Sequence, residues 1–339
     1  MGFINGCNIC NTPREIGEIK TKDLNNKLII TKLSSNITHL RQESIMTNIG
    51  NFEINKVLTN ISITTTDDIE FPPDIIAQIV NKNKSLKHEN IKYINGDTYD
   101  GTINKNNKKE GFGIYRTKNG YIYKSLWEDD KICDYGIFID PEGNYIKGTI
   151  VNGDIGEGEL LIKNKMKYIG EFLQKLPNNK GILYNFSDKF IYEGDFLLGE
   201  MDGKGIIKYM DGTSYEGDFK NDKYEGKGKI VFKNGGSYEG EFNNNLMNGK
   251  GKYIYPDGKI YEGDFKNGFK HGYGKIIYNE NKYFEGYWIN NKQHGEGKYC
   301  LNGKELKAIF RYGKLIMKIW LNNINVYMNI GKNLFFFSF

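Results

Sequence analysis

The chain has 339 residues, with 47 Lys and Arg set against 42 Asp and Glu for a net charge of +5. Charge this balanced and interspersed leaves no footprint for nucleic acid, which needs cations gathered on one face. Glycine (41) and tyrosine (24) abound while proline (6) is scarce, a balance that favours short strands and tight turns over helices.

At the N-terminus, "MGFINGCNIC" has neither a basic region nor an apolar core, so it does not read as a secretory signal. The four cysteines, Cys7, Cys10, Cys133 and Cys300, form no evenly spaced framework, which points to a reducing, intracellular setting. The sequons at Asn36, Asn60 and Asn185 are then accidental. Cys7-x-x-Cys10 is half of a zinc site without its other half. Gly2 offers a sharper reading. Myristoylation follows M-G-x-x-x-[ST], and Gly6 stands here at the Ser/Thr position. A second acyl chain on Cys7 or Cys10 would supply the two signals that stable anchoring requires. The competing reading is an unmodified terminus.

Residues 1–70 read as a mostly disordered arm, rich in Asn, Thr, Ser and Lys without a persistent period. "PPDIIAQIVNK" (72–82) predicts a short helix, with Pro ahead of Ile75, Ile76, Ile79 and Val80. Residues 71–96 are expected to form an N-terminal cap, the helix docking on the first hairpin and covering its edge.

Residues 97–320 are repetitive. "YEGDF" occurs at 192–196, 215–219 and 261–265, with "YEGEF" at 238–242 and "FEGYW" at 284–288, each start 23 residues after the last. Looser copies start at Tyr99, Tyr123, Ile146, Tyr168 and Leu306. Eleven residues after each strong start comes a Gly-x-Gly: Gly203 and Gly205, Gly226 and Gly228, Gly249 and Gly251, Gly272 and Gly274, Gly295 and Gly297. Asp211-Gly212, Asn234-Gly235 and Asp257-Gly258 then predict type I′ turns between units. One unit is therefore a two-stranded hairpin, too marginal to stand alone, which must stack on its neighbours. By strand alternation Tyr192 and Phe196, Tyr215 and Phe219, Tyr238 and Phe242, Tyr261 and Phe265, and Phe284 and Trp288 share one face, and the acids share the other. The rings form the core. Gly194, Gly217, Gly240, Gly263 and Gly286, together with the Gly-x-Gly pairs, leave room for them.

This pattern, Y-x-G-x-[FW], a polar loop, G-x-G and a D-G turn, resembles the MORN (membrane occupation and recognition nexus) repeat. The resemblance is specific over Tyr192–Gly297 and departs at Ser125, Asp134 and Ala308. It implies an all-β fold, an elongated single-layer antiparallel hairpin array of about nine to ten repeats. It also implies a scaffold between membranes and cytoskeleton, some relatives carrying an enzyme beside the repeats.

The tail from 321 to 339 is apolar, with Phe335, Phe336, Phe337 and Phe339, but lacks the ~20 unbroken apolar residues of a membrane span. It is expected to cap the array or to join two copies into a homodimer. No catalytic group, metal site or cofactor is expected. The paired acids Glu216 and Asp218 read as a solvated face opposed by lysines, and His271 and His294 read as loop polarity. "GKGKIV" lacks the spacing of a phosphate loop. The expected function is a non-catalytic, cytoplasmic scaffold binding protein partners, peripheral on a membrane face or on the cytoskeleton. The alternatives are a direct phospholipid binder, an accessory module of a phosphatidylinositol phosphate kinase, or an axonemal part without membrane contact.

Overall fold

The computed structural model describes residues 71–320, 325–330 and 333–338, with side chains placed up to residue 318. The lipidation candidates Gly2, Cys7 and Cys10 lie outside the described residues. Among those residues there is one helix, and every strand pairing is antiparallel. The chain divides into two units, 1–200 and 201–339.

The first unit opens with helix α1 (Pro73–Asn83) and edge strand β1 (Lys87–Lys92). Then follow β2 (Thr98–Ile103), β3 (Lys109–Arg116), β4 (Ile122–Glu128), β5 (Lys131–Ile139), β6 (Tyr145–Val151), β7 (Asp154–Ile162), β8 (Met166–Leu173), β9 (Leu176–Asn185) and β10 (Phe190–Leu197). The second unit contains β11 (Glu200–Tyr209), β12 (Ser214–Lys220), β13 (Lys223–Val231), β14 (Ser237–Asn243), β15 (Leu246–Ile254), β16 (Ile260–Lys266), β17 (Phe269–Asn279), β18 (Lys282–Ile289), β19 (Lys292–Leu301), β20 (Lys304–Arg311) and β21 (Lys314–Trp320). Strands β22 (Asn325–Ile330) and β23 (Asn333–Ser338) complete it. Each unit is a meander in which a repeat start opens one strand and the Gly-x-Gly stretch falls on the next.

The register explains the glycines. In unit two Gly205, Gly217, Gly228, Gly240, Gly251, Gly263, Gly274, Gly286 and Gly297 are paired strand to strand, a glycine row running across the sheet. Tyr215 lies over this row: a Cβ on Gly217 would fall 2.6 Å from its hydroxyl, and one on Gly228 would enter its ring. The other Gly-x-Gly member serves a different end. Gly226, Gly249, Gly272 and Gly295 have φ of +61, +65, +62 and +71°, the left-handed region that Cβ makes costly. The pairing jumps there. Gly217 faces Gly228, but Asp218 faces Glu225, so Gly226 and Lys227 bulge out of β13. Room accounts for one glycine of the pair and backbone conformation for the other. In the looser copies starting at Tyr123 and Tyr168, Asp134 (φ 59°) and Asn179 (φ 55°) occupy this position; Asp and Asn are the residues most tolerant of that region.

The turns also differ from the expectation. The Asp-Gly and Asn-Gly stretches make three-residue loops: Tyr209 N–H bonds the Thr213 carbonyl, Gly212 N–H bonds the Tyr209 carbonyl, and only Gly212 of the loop has positive φ. The two-residue turns with both φ positive lie inside the units, at Asn221-Asp222, Asn244-Asn245, Asn267-Gly268 and Asn290-Asn291. These are the type I′ connections, and their twist matches that of the flanking strands.

Helix α1 begins after Pro72, with Asp74 in its first turn and Lys82 in its last, both complementing the helix dipole. It covers a face of the sheet, not an edge. Ile75 is buried among Leu126, Ile137, Ile139, Tyr145 and Leu161, with Phe71 edge-on to Phe112. Here apolar residues replace the charges found in other repeats: Leu126 stands where Asp218 does, and Ile137 where Lys229 does. The edge itself is held by β1, paired along β2. At the other end β20 and β21 pair as a hairpin, and β22 and β23 add to the sheet side by side. The chain therefore continues the meander there; it does not fold back over it.

Candidate functional site

In the strong repeats the first aromatic is among the most deeply buried residues of its strand. Tyr192, Tyr238, Tyr261 and Phe284 are fully buried and Tyr215 nearly so, as are Tyr99 and Tyr168 in the looser copies. Burying a phenol requires a partner for its hydroxyl. Tyr215 donates to the Asp218 carbonyl at 2.9 Å, and Tyr192, Tyr238 and Tyr261 do the same three residues on. The second ring of the pentapeptide packs edge-on to the first: Tyr215 and Phe219 are 5.2 Å apart, and Tyr215 also meets Phe242 of the next repeat at 5.1 Å. Tyr238–Phe265, Tyr261–Trp288 and Phe284–Phe310 extend the chain at 4.9, 5.3 and 5.0 Å. Such contacts add ~0.5–1.5 kcal/mol each to the burial itself.

The opposite face is more engaged than a solvated surface. Asp218 Oδ2 accepts the Lys227 N–H at 2.9 Å, closing the bulge, and the Asp218 carboxylate pairs with Lys204. Asp264 does the same with the Tyr273 N–H at 2.9 Å and Lys250 at 2.5 Å. Partial burial pushes both carboxyls up, but the lysine and the backbone N–H outweigh it and hold them below the usual carboxylate range. Glu239 and Glu285 pair with Lys229 and Lys275 across the strands. Asp218 and Asp264 thus act as structural partners that close the bulge.

Beyond the buried rings, unit two carries a second aromatic series that lies outside the pentapeptide. Tyr209, Phe232, Tyr255 and Tyr278 recur at 23-residue spacing on the ring face and are only partly buried. The signal was legible in that period. Tyr224 stacks on Tyr215 at 3.8 Å and shares a hydrogen bond with the Tyr209 hydroxyl at 2.9 Å. Phe232, Tyr253 and Tyr255 pack in sequence, with centroids 5.9 and 4.6 Å apart. Lys270 sits among these rings, its Nζ 4.7 Å from Trp288, 5.5 Å from Tyr255 and 5.5 Å from Tyr261. Burial holds its pKa below the usual lysine value.

The histidines are not brought together into a site. His271 Nδ1 is buried without a hydrogen-bond partner, and His294 packs on Tyr312 with centroids 4.7 Å apart. Among the described residues no group of three or more His, Cys, Asp or Glu could hold a metal ion.

A repeat model settles the relationship. The MORN repeat matches residues 99–120, 192–214, 215–237, 238–260, 261–281 and 284–303. The chain carries MORN repeats. The copies at Tyr123, Ile146, Tyr168 and Leu306 fall outside those matches, yet they form the same strands, and Ser125 and Ala308 fill the glycine row fully buried. Ser125 donates its hydroxyl to the Tyr135 carbonyl at 2.9 Å, which keeps a polar side chain satisfied there. Among solved structures, the wild-type TCP10 domain of Danio rerio CPAP, in complex with a peptide of Danio rerio STIL, is similar at 11% identity. That match covers 69% of this chain and 99% of that one with a TM-score of 0.32. The SAS-4 (dCPAP) TCP domain of Drosophila melanogaster, in complex with a proline-rich motif of Ana2 (dSTIL), is similar at 13% identity over 46% of this chain and 85% of that one, with a TM-score of 0.30. Likeness at that level carries no inference about function. No curated protein matches the chain.

Proposed function

We propose that this MORN-repeat chain is a non-catalytic scaffold whose ring face in unit two receives protein segments, and whose N-terminus, acylated at Gly2 and at Cys7 or Cys10, attaches it to a cytoplasmic membrane face. The observation that carries the docking role is the series Tyr209, Phe232, Tyr255 and Tyr278: aromatic, partly buried, and with no helix or second sheet packed across it among the described residues. A row of half-buried rings left uncovered on one sheet face is apolar surface of the kind that marks interaction sites. On the opposite face the acids close bulges and pair with lysines, which supports a structural use for them.

A direct phospholipid binder needs a basic stripe, and here lysines and acids pair along the strands. Two measurements test the scaffold reading. Full-length chain expressed without acylation is expected to stay down when floated with anionic liposomes at physiological salt; salt-sensitive flotation would favour the lipid binder. Alkyne-myristate fed to cells expressing the tagged protein is expected to label wild type and not Gly2→Ala. Equal labelling of both would remove the anchor from the proposal.

A further inference from the structure

Two repeats place a lysine two residues before the bulge glycine, on the ring face and beside a tryptophan. In the first unit Lys109 lies 5.1 Å from Trp127 and is neutralised by Asp130 at 3.1 Å. In the second, Lys270 lies 4.7 Å from Trp288. The turn residue corresponding to Asp130 is Asn291, which has no charge. Both turn residues make the same backbone bond, their Oδ1 accepting the lysine N–H at 2.9 Å. Lys270 is thus the same device with its internal carboxylate removed, and no carboxylate pairs with it among the described residues. Its Nζ has one hydrogen bond in the structure, to the Tyr255 hydroxyl at 3.0 Å.

An ammonium drawn into aromatic surroundings without a counter-charge is costly, and the rings recover only part of that cost. Lys270 Nζ and the Tyr255 hydroxyl stand side by side, one with further N–H donors and the other with its O–H. Together they present two donors to a single carboxylate. One isolated cation among apolar rings matches one carboxylate; a polyphosphorylated headgroup calls for several cations.

We propose that Lys270 and Tyr255 bind an aspartate or glutamate side chain of a protein segment laid along the ring face of unit two. The proposal rests on the reading of that face as a docking surface and specifies what docks there: a segment with one acid flanked by apolar residues.

A displayed library of linear peptides selected on the full-length chain tests it. Selected peptides are expected to share one acidic position, and their Kd should rise ~10-fold or more with Lys270→Gln. Asn291→Asp keeps Lys270 and the backbone bond while restoring an internal carboxylate, so it should weaken the same peptides. Peptide Glu→Gln should weaken binding to wild type and leave binding to Lys270→Gln little changed. Selected peptides without a shared acid, or affinities indifferent to both variants, would overturn the proposal while leaving the docking surface standing. Failure to select any peptide would overturn the docking surface itself. Lys270-dependent binding only to vesicles containing phosphatidylinositol 4,5-bisphosphate would replace the acidic segment with a lipid. Should Lys270→Gln not fold, as judged by circular dichroism, Asn291→Asp carries the test.

Discussion

At the scale of single residues, the repeat's glycines divide into two physical kinds that the letters alone do not separate. Gly228 is glycine because the Tyr215 ring occupies the space of a side chain. Gly226 is glycine because the bulge needs φ of +61°, with Asp218 Oδ2 2.8 Å from where a Cβ would sit. The two should respond differently to substitution. Gly226→Asn should cost less, ~1 kcal/mol, since Asn179 already occupies the corresponding place at φ 55° and the atom nearest the new Cβ is the far end of the Asp218 side chain, which can shift. Gly228→Asn should displace Tyr215 and cost several kcal/mol, in the range of core overpacking or worse (~1–3 kcal/mol or more). Urea unfolding of the two variants checks this; equal losses would show that both positions are governed by space. The glycine pattern was legible in the sequence, but its two causes were not, because a bulge is a relation between strands.

At the scale of the element, the hairpin's inner turn is also the fastener between repeats. Asn245 accepts the Tyr224 N–H at 2.7 Å and returns its own N–H to the Tyr224 carbonyl at 3.0 Å. Asp222 does the same to Met201 at 2.8 and 3.1 Å. Where glycine takes the place, as at Gly268, only the backbone bond to Met247 remains, at 2.8 Å. Asn245→Gly should therefore lose one hydrogen bond, ~1 kcal/mol. Asn245→Val should lose that bond and add the strain of a β-branched residue at φ 67°, a further ~1–3 kcal/mol. Hydrogen exchange of the Tyr224 amide reads the loss directly; unchanged protection in Asn245→Gly would contradict the assignment. Sequence reading saw these residues only as a polar loop. The dipeptides Asp129-Asp130, Asn221-Asp222, Asn244-Asn245 and Asn290-Asn291 were the available signal, but short-range propensity placed the type I′ turns at the more conspicuous Asp-Gly stretches.

At the scale of the whole molecule, each unit is stabilised by contacts between sequence neighbours, as in other repeat arrays. Unit one has one addition, helix α1 on the face opposite the rings. Ile75→Ala should cost ~2–5 kcal/mol, the usual range for truncating a buried isoleucine. Its effect should be confined to the strands beneath the helix and leave amide protection in β12–β19 unchanged. A uniform loss of protection along the chain would mean that the array unfolds as one cooperative body. The helix itself was readable from Pro72 and its apolar spacing. Its seat was not, because Leu126 and Ile137, which replace the repeat's charges, lie about 50 or more residues from Ile75 and meet it only across the sheet.

What the sequence determined by itself was the hairpin, its 23-residue period, the alternation that turns rings to one face and acids to the other, and the MORN relationship. The hairpin and its alternation follow from local rules that act within a few residues, and the MORN relationship rests on the resemblance of the repeated pattern to that family. The tertiary structure decided which carboxylates close bulges, which turns fasten repeats, which face the helix covers, and that Lys270 stands among aromatic rings without the carboxylate that Lys109 has. These depend on residues that meet across strands, from 9 positions apart at the bulges to 21 at the fastening turns and farther beneath the helix, and only the stacked register brings them together.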